Sequence, residues 1–552
     1  MSKRVDVVII GAGAGGGTSA WALARKGLNI LVLESGPAYD PNKDYKLDQD
    51  DWEKQGFPDK GATIHNYRIA ALQPLDDRYR HLRSWNQIHG RYNPGRQRKG
   101  WRYHHVRGLG GSTLHFSGES HRLHKDAFNI KSRFGVGADW PVDYQTLEPF
   151  YQQAETIVGV AGPTRQPGRP RSQPFPLPAH AASYASHKFI HACKKLGMQS
   201  QPNSMAILPR PYDGRPDCNY CAQCNRGCPR TDKGSVDVTF IARARSFKNC
   251  QFVTGAEVTH LEAGDNDRIN KVIYKDTDGK FHAVSGDIVI ISCGAVESPR
   301  LLLNSANKFS PDGLGNDSGH VGKHFMETLS WNSSALFDEP LGSHRGITSD
   351  TICWDYNAPD SIDGIIGGCR IMATTSEADL AGPIGYATRV VNGWGKQHKR
   401  AMRQAFGNVL GLGAIGESLP NDKTYIDLDP EYKDTHDKPV ARIHSHLDQM
   451  AIRRLEFMAK TVRSLFDAAG QNTIFEEYGT YDFFSSTHVF GGCRMGGNEK
   501  DSVVNQFCRS HRWKNLYVID ASIFPSSGGG ESPSLTIEAL ALRACNAMVS
   551  RS

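Results

Sequence analysis

The chain has 552 residues, of which 39% are apolar and 22% are charged, as expected for a folded protein with more than one domain. Its net charge of +7, from 65 basic and 58 acidic side chains, is too small to indicate a nucleic-acid-binding protein. Twelve cysteines in a chain of this length argue against a disulfide scaffold.

The N-terminus has the pattern of a βαβ unit. Apart from Asp6, residues 5–10 are an apolar and β-branched run, which is typical of a buried parallel strand. Residues 18–26 have the composition of a helix, and residues 29–33 are predicted to form a second strand. The order strand, helix, strand predicts one unit of a Rossmann-like domain.

A glycine motif lies between the first predicted strand and the helix. Gly11 permits a tight turn, Gly13 lets the backbone approach a pyrophosphate, and Gly16 lets the helix pack on the strand. The N-terminus of the helix supplies amide donors for phosphates. Glu34 ends the second strand and can accept hydrogen bonds from a ribose diol. The motif therefore predicts FAD or NAD rather than NADP.

Three later regions have a recognisable pattern. The proline-rich stretch 163–178 predicts an extended surface connection. Residues 251–292 alternate strand-like segments with polar turns and end in a buried-type strand at 287–292. A buried strand at 515–520, a glycine-rich loop and a long helix at 534–549 complete the chain.

Four cysteines follow the spacing C-x2-C-x2-C-x3-C-P, namely Cys218, Cys221, Cys224 and Cys228. Thiolates this close together can face one inorganic core, and bacterial ferredoxins bind iron–sulfur clusters with this spacing. Four thiolates also suit structural zinc. A cysteine-rich loop without any metal is the third interpretation, and the spacing alone leaves all three open.

Five sequence blocks, spread in order over nearly the whole chain, resemble the glucose–methanol–choline (GMC) oxidoreductase family. They are the N-terminal glycine motif and the segments 107–115, 294–302, 488–496 and 515–522. The resemblance implies FAD rather than NAD, with the substrate cavity over the flavin ring.

For the fold, we expect an α/β protein in which a Rossmann-like FAD-binding domain carries an inserted α+β substrate domain. An antiparallel sheet backed by helices is expected in the inserted domain. The expected bounds are 1–145, 230–325 and 483–552 for the FAD-binding domain, and 146–229 and 326–482 for the substrate-binding domain, with the Cys-rich loop at 210–230.

The resemblance also implies which residues bind the cofactor. The Gly110–Gly111 turn would pass along the flavin, the Asp520–Ala521 segment would approach the pyrophosphate and ribityl, and the strand around Val258 would face the adenine. Some family members attach flavin covalently through a histidine at the position of His115, and others carry a histidine there without such a bond. The implied cofactor-binding residues are Gly110, Gly111, Ser112, His115, Val258, Asp520 and Ala521.

His488 matches the active-site histidine of the family. An alcohol gives up hydride readily only while its hydroxyl proton is being removed, and a neutral imidazole suits that step. After Gly528–Gly530 the family commonly has Asn-Pro or a second histidine, whereas this chain has Glu531 and Ser532. Ser532 can orient a substrate hydroxyl with a shorter reach than asparagine. Glu531 is either a second acid–base group or a loop carboxylate.

The Cys-rich loop resembles that of the large subunits of bacterial FAD-dependent glucose and fructose dehydrogenases. In those proteins three cysteines hold a 3Fe–4S cluster that passes electrons to a cytochrome subunit. The resemblance implies Cys218, Cys224 and Cys228 as ligands here. Cys221 would complete a 4Fe–4S site or remain free.

The leading hypothesis is an FAD-dependent dehydrogenase that oxidises a hydroxyl of a sugar, glycoside or polyol and passes electrons to a quinone or cytochrome, with an iron–sulfur cluster as one route. The alternatives are a sugar or alcohol oxidase that uses dioxygen, and an FAD protein similar to hydroxynitrile lyases, which does no net redox chemistry.

Location and partners follow from the same resemblance. No apolar run reaches the ~20 residues that span a bilayer, and the chain shows no secretion signal. We therefore expect no direct membrane span and, by default, a cytoplasmic protein. Related dehydrogenases reach the periplasm together with a small chaperone-like subunit that carries the export signal, so periplasmic export with such a subunit is the alternative.

Overall fold

The computed structural model describes residues 3–45, 67–376, 378–471 and 473–549. Two β-sheets organise this part of the chain. The first sheet contains the N-terminal strand, and the second sheet contains strand Leu329–Leu336.

The first sheet has seven strands among the described residues, and five of them run parallel. The long strand Phe281–Ile291 pairs on one side with the N-terminal strand and divides its other edge between a parallel and an antiparallel neighbour. The parallel strands stand in the order Cys250–Val253, Ile30–Leu33, Lys3–Ile10, Phe281–Ile291 and Leu516–Val518, and the antiparallel ones are Ile269–Lys275 and Glu257–Ala263. The βαβ start and the parallel sheet confirm the predicted Rossmann-like domain.

Helices cover the first sheet. Helix Ala14–Ala24 begins earlier than the predicted 18–26, because the buried glycines of its first turn are themselves helical. The C-terminal helix Ser534–Val549 packs against it. Helix Tyr144–Val158 packs on the C-terminal helix in turn, where the hydroxyls of Tyr151 and Thr536 lie 2.9 Å apart.

The second sheet has eight strands among the described residues, and every pairing in it is antiparallel. Helices Gln449–Ala468 and Tyr184–Lys195 pack against it and against each other. Their apolar faces form a core with Trp331 and Leu412 of the sheet. The strand order is Gly90–Arg91, Trp85–Asn86, Ile474–Gly479, Leu329–Leu336, Val409–Gly416, Cys369–Ala373, Thr351–Cys353 and Ser200–Pro202. The predicted antiparallel sheet backed by helices is confirmed.

The chain crosses between the two sheets at several points. The short strands at 85–86 and 90–91, which the expected bounds assign to the FAD-binding domain, lie in the second sheet. Conversely, helix Tyr144–Val158, assigned almost wholly to the substrate-binding domain, packs on the C-terminal helix of the first sheet. The domain bounds stay a prediction.

Smaller elements complete the described chain. A hairpin pairs Tyr425–Lys433 with Pro439–His444, and Tyr67–Ile69 joins it as a third strand. The two-stranded pairs are Met326–Glu327 with Val489–Phe490, Lys99–Tyr103 with Phe483–Ser486, and Ala161–Gly162 with Leu177–Pro178. The remaining helices and helical turns are Pro41–Asp44, Asp77–Leu82, Gly111–Leu114, Lys125–Asn129, Ile130–Phe134, Asp237–Ile241, Ala242–Ala244, Gly294–Leu303, Pro383–Gly385, Tyr386–Val390, Gly395–Ala405 and Ala521–Ile523. None of the helices in the described ranges combines the length and apolar character that a membrane crossing requires.

Candidate active site

A cavity of about 520 Å³ lies between the two sheets. Ile10, Leu33 and Ser292, at or just beyond the carboxyl ends of parallel strands of the first sheet, line one side. Asn332 and Met372 of the second sheet line another. Open α/β sheets bind their ligands at the carboxyl ends of parallel strands, so the cavity stands where a dinucleotide is expected.

The first glycine turn is closed toward the protein and open toward the cavity. Gly11 has a φ of +90°, and a Cβ there would lie 2.4 Å from the carbonyl oxygen of Ser292. A Cβ on Gly16 would lie 2.0 Å from the carbonyl oxygen of Gly11, so the helix can approach the strand only without a side chain. A Cβ on Gly13 would meet nothing nearer than Gly111, at 3.9 Å. The backbone at Gly13 is therefore free to approach a ligand.

The second glycine turn packs directly on the first. The backbone N–H of Gly110 donates to the carbonyl of Ala12 over 3.0 Å. Gly111, Ser112 and His115 line the cavity, whereas Gly110 does not line it and packs against Leu114.

Glu34 holds the turns together and faces the cavity. Its carboxylate accepts hydrogen bonds from the backbone N–H groups of Ala12 and Gly36, both at 2.9 Å, and of Gly108 at 3.1 Å. Burial raises the pKa of this carboxyl. The hydroxyl of Ser35 also donates to Oε1, over 3.4 Å. Among the described residues, Oε2 accepts a hydrogen bond from the backbone of Ala12 alone, so it keeps capacity for a ribose hydroxyl.

Asp520, Ala521 and Val258, which the family resemblance implies as cofactor-binding residues, also line the cavity. The carboxylate of Asp520 accepts from the backbone N–H of Gly294 at 3.0 Å and so fixes the start of helix Gly294–Leu303. The open glycine face, two buried carboxylates and the N-terminus of the eleven-residue helix Ala14–Ala24 form a cradle that fits a dinucleotide such as FAD.

His488 is half-buried and lines the same cavity. Burial lowers its pKa to about 4, with the Arg370 guanidinium adding to the fall and Glu119 opposing it. The hydroxyl of Ser486 donates to the backbone carbonyl of His488 over 2.8 Å. At neutral pH the imidazole is therefore uncharged and able to accept a proton.

A buried ion pair next to His488 was not predicted from the sequence. Nη1 of Arg370 lies 2.6 Å from Oε1 of Glu119, which also accepts from Nδ2 of Asn203 at 3.0 Å. Burial raises the pKa of Glu119, but the Arg370 guanidinium together with His121 and His488 outweighs that effect and brings the pKa to about 2. Glu119 lines the cavity. The available signal was an arginine inside the otherwise apolar strand Cys369–Ala373.

The structure separates the two polar residues of the last glycine-rich loop. Ser532 lines the cavity, and its backbone N–H donates to Nδ1 of His121 over 3.2 Å. Because Nδ1 accepts, the ring proton is on Nε2, which donates to Oδ1 of Asn203 over 2.9 Å. Burial lowers the pKa of His121 to about 3, so this imidazole stays neutral.

Glu531 does not line the cavity. Its Oε1 accepts from Arg169 over 2.6 Å and from the backbone N–H of His124 over 3.1 Å. All of its surface is buried. The interpretation of Glu531 as a loop carboxylate fits this arrangement, and the interpretation as a second acid–base group finds no support in it, because Arg169 compensates the carboxylate charge away from the cavity.

The four cysteines of the C-x2-C-x2-C-x3-C run are free thiols, two of them buried and two half-buried; they are Cys218, Cys221, Cys224 and Cys228. Burial raises the pKa of Cys218 to about 12 and that of Cys228 to about 11. Among the described residues no three His, Cys, Asp or Glu side chains stand together as a metal ion requires. As arranged, the four side chains do not form a site for a single metal ion such as zinc.

The Cys-rich loop nevertheless lies beside the second glycine turn. Nζ of the buried Lys233 donates to the carbonyls of Leu114, Phe116 and Cys224 over 2.9, 3.0 and 2.7 Å. Asn225 of the loop reaches the cavity lining. The loop and the cofactor-binding segment are thus one packed unit.

The second sheet gives the cavity a polar wall that the sequence patterns did not indicate. Ser330, Asn332, Thr374 and Tyr478 line it, on three different strands or their ends. Hydroxyl and amide groups both donate and accept hydrogen bonds, which is what a polyhydroxylated ligand requires.

Comparison with known protein families matches most of the chain. Residues 101–329 and 420–541 each match a family described as GMC oxidoreductase, and residues 6–42 match a family described as FAD binding domain. The fructose dehydrogenase large subunit of Gluconobacter japonicus is 28% identical over 99% of this chain and 97% of its own length. The 6'''-hydroxyparomomycin C oxidase of Streptomyces lividus is 28% identical over 99% of this chain and 91% of its own.

Among solved structures, the fold is similar to that of pyridoxine 4-oxidase from Mesorbium loti. The TM-score is 0.64 at 18% identity, and the match covers 99% of both chains. The overall fold of this chain is therefore shared with a protein of known structure.

Proposed function

Because the chain belongs to the GMC oxidoreductase family, an FAD-dependent family that oxidises hydroxyls of sugars and alcohols, we propose that it is a dehydrogenase for a sugar, glycoside or polyol. Its relative from Gluconobacter japonicus is, by name, a dehydrogenase of a sugar. The polar wall of Ser330, Asn332, Thr374 and Tyr478 supports a polyhydroxylated substrate over an apolar alcohol.

The single observation that carries the proposal is the neutral imidazole of His488 in the cavity wall. FAD, when bound in the cradle, supplies the acceptor for the hydride of the carbinol carbon. His488 accepts the hydroxyl proton, since its lowered pKa keeps it free of a proton at neutral pH. Ser532, whose backbone is fixed by His121, orients the hydroxyl that reacts.

The test uses the purified wild-type protein loaded with FAD and a panel of aldoses, ketoses, glycosides, polyols and simple alcohols. Anaerobic bleaching of the flavin absorbance by one of the polyhydroxylated compounds supports the proposed reaction. Bleaching only by simple alcohols contradicts the substrate class, and no bleaching with any hydroxyl compound contradicts oxidation, leaving the lyase alternative.

An oxidase is the second candidate, and the relative from Streptomyces lividus favours it, because that protein is an oxidase by name. The same assay in air separates the two. Stoichiometric peroxide identifies an oxidase, whereas reduction of a dye or quinone without peroxide identifies the dehydrogenase that we propose.

The route of the electrons is a separate part of the proposal. A cluster at Cys218, Cys224 and Cys228, with Cys221 as a fourth ligand or free, is supported by the spacing of the cysteines and by the contact of their loop with the cofactor-binding segment. Iron, sulfide and zinc analysis with an EPR spectrum of protein purified without oxygen decides between cluster, zinc and no metal. Cys224→Ser is the test variant, and Cys250→Ser, outside the loop, is its matched control.

We also propose partner and location by similarity. The Gluconobacter japonicus relative is a large subunit by name, so a small subunit and a cytochrome or quinone acceptor are the expected partners. The proposed location is the cytoplasm, or the periplasm if a signal-bearing subunit carries the chain across. Co-purification of proteins bound to the chain tests the expected partners. Fractionation of the producing cells, with and without a candidate small subunit, tests the location.

A further inference from the structure

One surface helix carries a stripe of positive charge. Helix Gly395–Ala405 contains Lys396, Lys399, Arg400 and Arg403, and all four side chains are exposed. Residues three and four positions apart are neighbours on the surface of an α-helix, so the four cations follow one another along a single face. We call these four residues the basic stripe.

The opposite side of this helix is fixed to the protein. Ala405 is buried, and Ala401 and Met402 pack against the same apolar cluster, which also contains Tyr386 and Val409. The apolar side chains of the helix are thus already covered by the protein itself. What the helix presents to the outside is charge.

The basic stripe has no acidic counterpart among the residues that the structure describes. Residues 380–416 contain neither aspartate nor glutamate. Arg389, in the turn before the helix, forms a salt bridge with Glu476, whereas no described carboxylate lies within ion-pair distance of a stripe cation. Like charges three and four positions apart on a helix repel each other and destabilise it. An anionic partner would offset this repulsion.

A second segment without acidic residues borders the first. Residues 78–118 also lack aspartate and glutamate. Nε2 of His89 in this segment lies 2.8 Å from the backbone carbonyl oxygen of Thr388, in the turn that precedes the helix. The exposed Arg91 follows two residues later. Positive charge therefore continues from the helix onto the neighbouring hairpin.

Trp394 projects from the protein at the start of the helix. Its side chain is 90% exposed. An added Cβ on Gly393 or Gly395, on either side of it, would meet nothing within 4 Å, so this turn stands clear of the rest of the chain that is described. Among the described residues of 380–416, no other large apolar side chain is exposed. Tryptophan is enriched where proteins meet lipid headgroups, because its ring is apolar and its N–H is polar.

A lipid surface fits these features better than a protein partner does. Interfaces between proteins have an apolar centre in which lysine is depleted. Here two lysines and two arginines accompany a single exposed tryptophan. Helices with clusters of about four to eight Lys and Arg residues bind anionic lipids, because the membrane surface has a negative potential.

We propose that the basic stripe and Trp394 dock this protein on the surface of an anionic lipid bilayer. The cations lie at the lipid phosphates, and the indole lies among the headgroups. The helix stays packed on the protein, so the bilayer is contacted and not crossed. Docking requires neither substrate nor turnover, so its tests are independent of the proposed oxidation.

The first test measures sedimentation of the FAD-loaded protein with lipid vesicles. Vesicles of phosphatidylcholine are compared with vesicles that also contain phosphatidylglycerol, which is anionic. The wild type should bind the anionic vesicles alone, and about 1 M salt should release it, because the Debye length is then about 3 Å. Equal binding to both kinds of vesicle, or binding to neither, would overturn the proposal.

A fourfold substitution tests whether the basic stripe is the site. The partition coefficient onto anionic vesicles should fall about 10²- to 10³-fold, since each cation near the membrane surface contributes to binding. Flavin content should stay that of the wild type, and the melting temperature should be unchanged or higher, because repulsion within the helix is removed. The variant combines Lys396→Gln, Lys399→Gln, Arg400→Gln and Arg403→Gln.

The matched control removes the same charge from exposed positions on other parts of the surface. This control should bind anionic vesicles as the wild type does. An equal loss of binding in both fourfold variants would show that net charge alone matters, and it would overturn the assignment to the helix. The control combines Lys26→Gln, Lys194→Gln, Lys248→Gln and Lys280→Gln.

Fluorescence quenching tests the contact made by Trp394. Lipids with brominated acyl chains quench only those tryptophans that approach them closely, so anionic vesicles of such lipids should quench part of the wild-type fluorescence. This quenching should disappear in Trp394→Ala. It should persist in Trp101→Ala, the control, which removes a tryptophan that is 60% exposed. Unchanged quenching in Trp394→Ala would overturn the role of this side chain.

An acidic protein is the competing partner for a basic surface, and immobilised polyglutamate is its probe. Binding to anionic vesicles at a salt concentration that releases the protein from polyglutamate supports docking on lipid, because the indole adds an apolar contact that salt does not screen. Capture by polyglutamate without any binding to anionic vesicles would overturn the proposal in favour of an acidic protein.

Discussion

The nucleotide end of the cavity, at the glycine turns, and the substrate end, near His488, are formed by different kinds of contact. At the nucleotide end, backbone atoms approach each other at glycine turns, and the carboxylates of Glu34 and Asp520 accept hydrogen bonds from backbone N–H groups. At the substrate end, side chains pair with side chains, as in Glu119 with Arg370. The first construction fixes a shape and leaves no room for an added atom at Gly11 or Gly16. The second fixes charges and protons, and it changes with pH and with single side chains.

The largest effect is expected from a substitution that disrupts the glycine turn at the nucleotide end of the cavity. Gly16→Val would place carbon within about 2.0 Å of the carbonyl oxygen of Gly11, and backbone cannot move away without separating helix from strand. We expect loss of FAD binding together with loss of soluble protein, measured by flavin content and yield. Gly497→Ala, where no atom lies within 4 Å of the added Cβ, is the control and should retain both. Full flavin content in Gly16→Val would contradict the account.

A smaller effect, on stability, is expected at the substrate end. Arg370→Met leaves the carboxylate of Glu119 buried without its cation, which costs about 3–5 kcal/mol in comparable buried pairs. Adding Glu119→Gln removes the uncompensated charge and should recover part of that loss. Denaturant unfolding of the two single variants and the double variant measures the coupling. Additive losses would show that the pair does not act as a unit.

The pH dependence of kcat/KM tests the substrate end without any substitution, because it reports the protonation of His488. Since burial lowers the pKa of His488 from 6.5 to about 4, the imidazole is neutral above that value and gains a proton below it. The acid limb of kcat/KM should therefore lie near pH 4, measured with FAD-loaded protein over a range in which it stays folded. An acid limb at the ordinary histidine pKa would show that His488 is not the base or is not desolvated.

The nucleotide end could be predicted from sequence because its rules are local. Gly11, Gly13 and Gly16 lie within six consecutive positions, and the apolar runs on both sides give the strand and the helix around them. Even there the prediction places the start of the helix at residue 18, because glycine has a weak helical propensity. In the structure the helix starts at Ala14, and its first glycines are buried.

The substrate end could be predicted only at the residues that the family resemblance names. Arg370 and Glu119 are separated by 251 positions, so no spacing pattern links them. Glu531 and Ser532 are adjacent in sequence, yet one faces Arg169 in the core and the other the cavity, because the loop backbone turns between them. The state of the Cys-rich loop and the domain bounds remain predictions.

The central claim is that His488 accepts the substrate proton in a cavity that holds FAD. The most direct measurement is the rate of anaerobic flavin bleaching by substrate in His488→Ala, compared with wild type at equal flavin content. The account predicts a loss of about 10²- to 10⁴-fold, the usual contribution of a general base, with flavin binding unchanged. Bleaching at the wild-type rate in a fully loaded variant would contradict it.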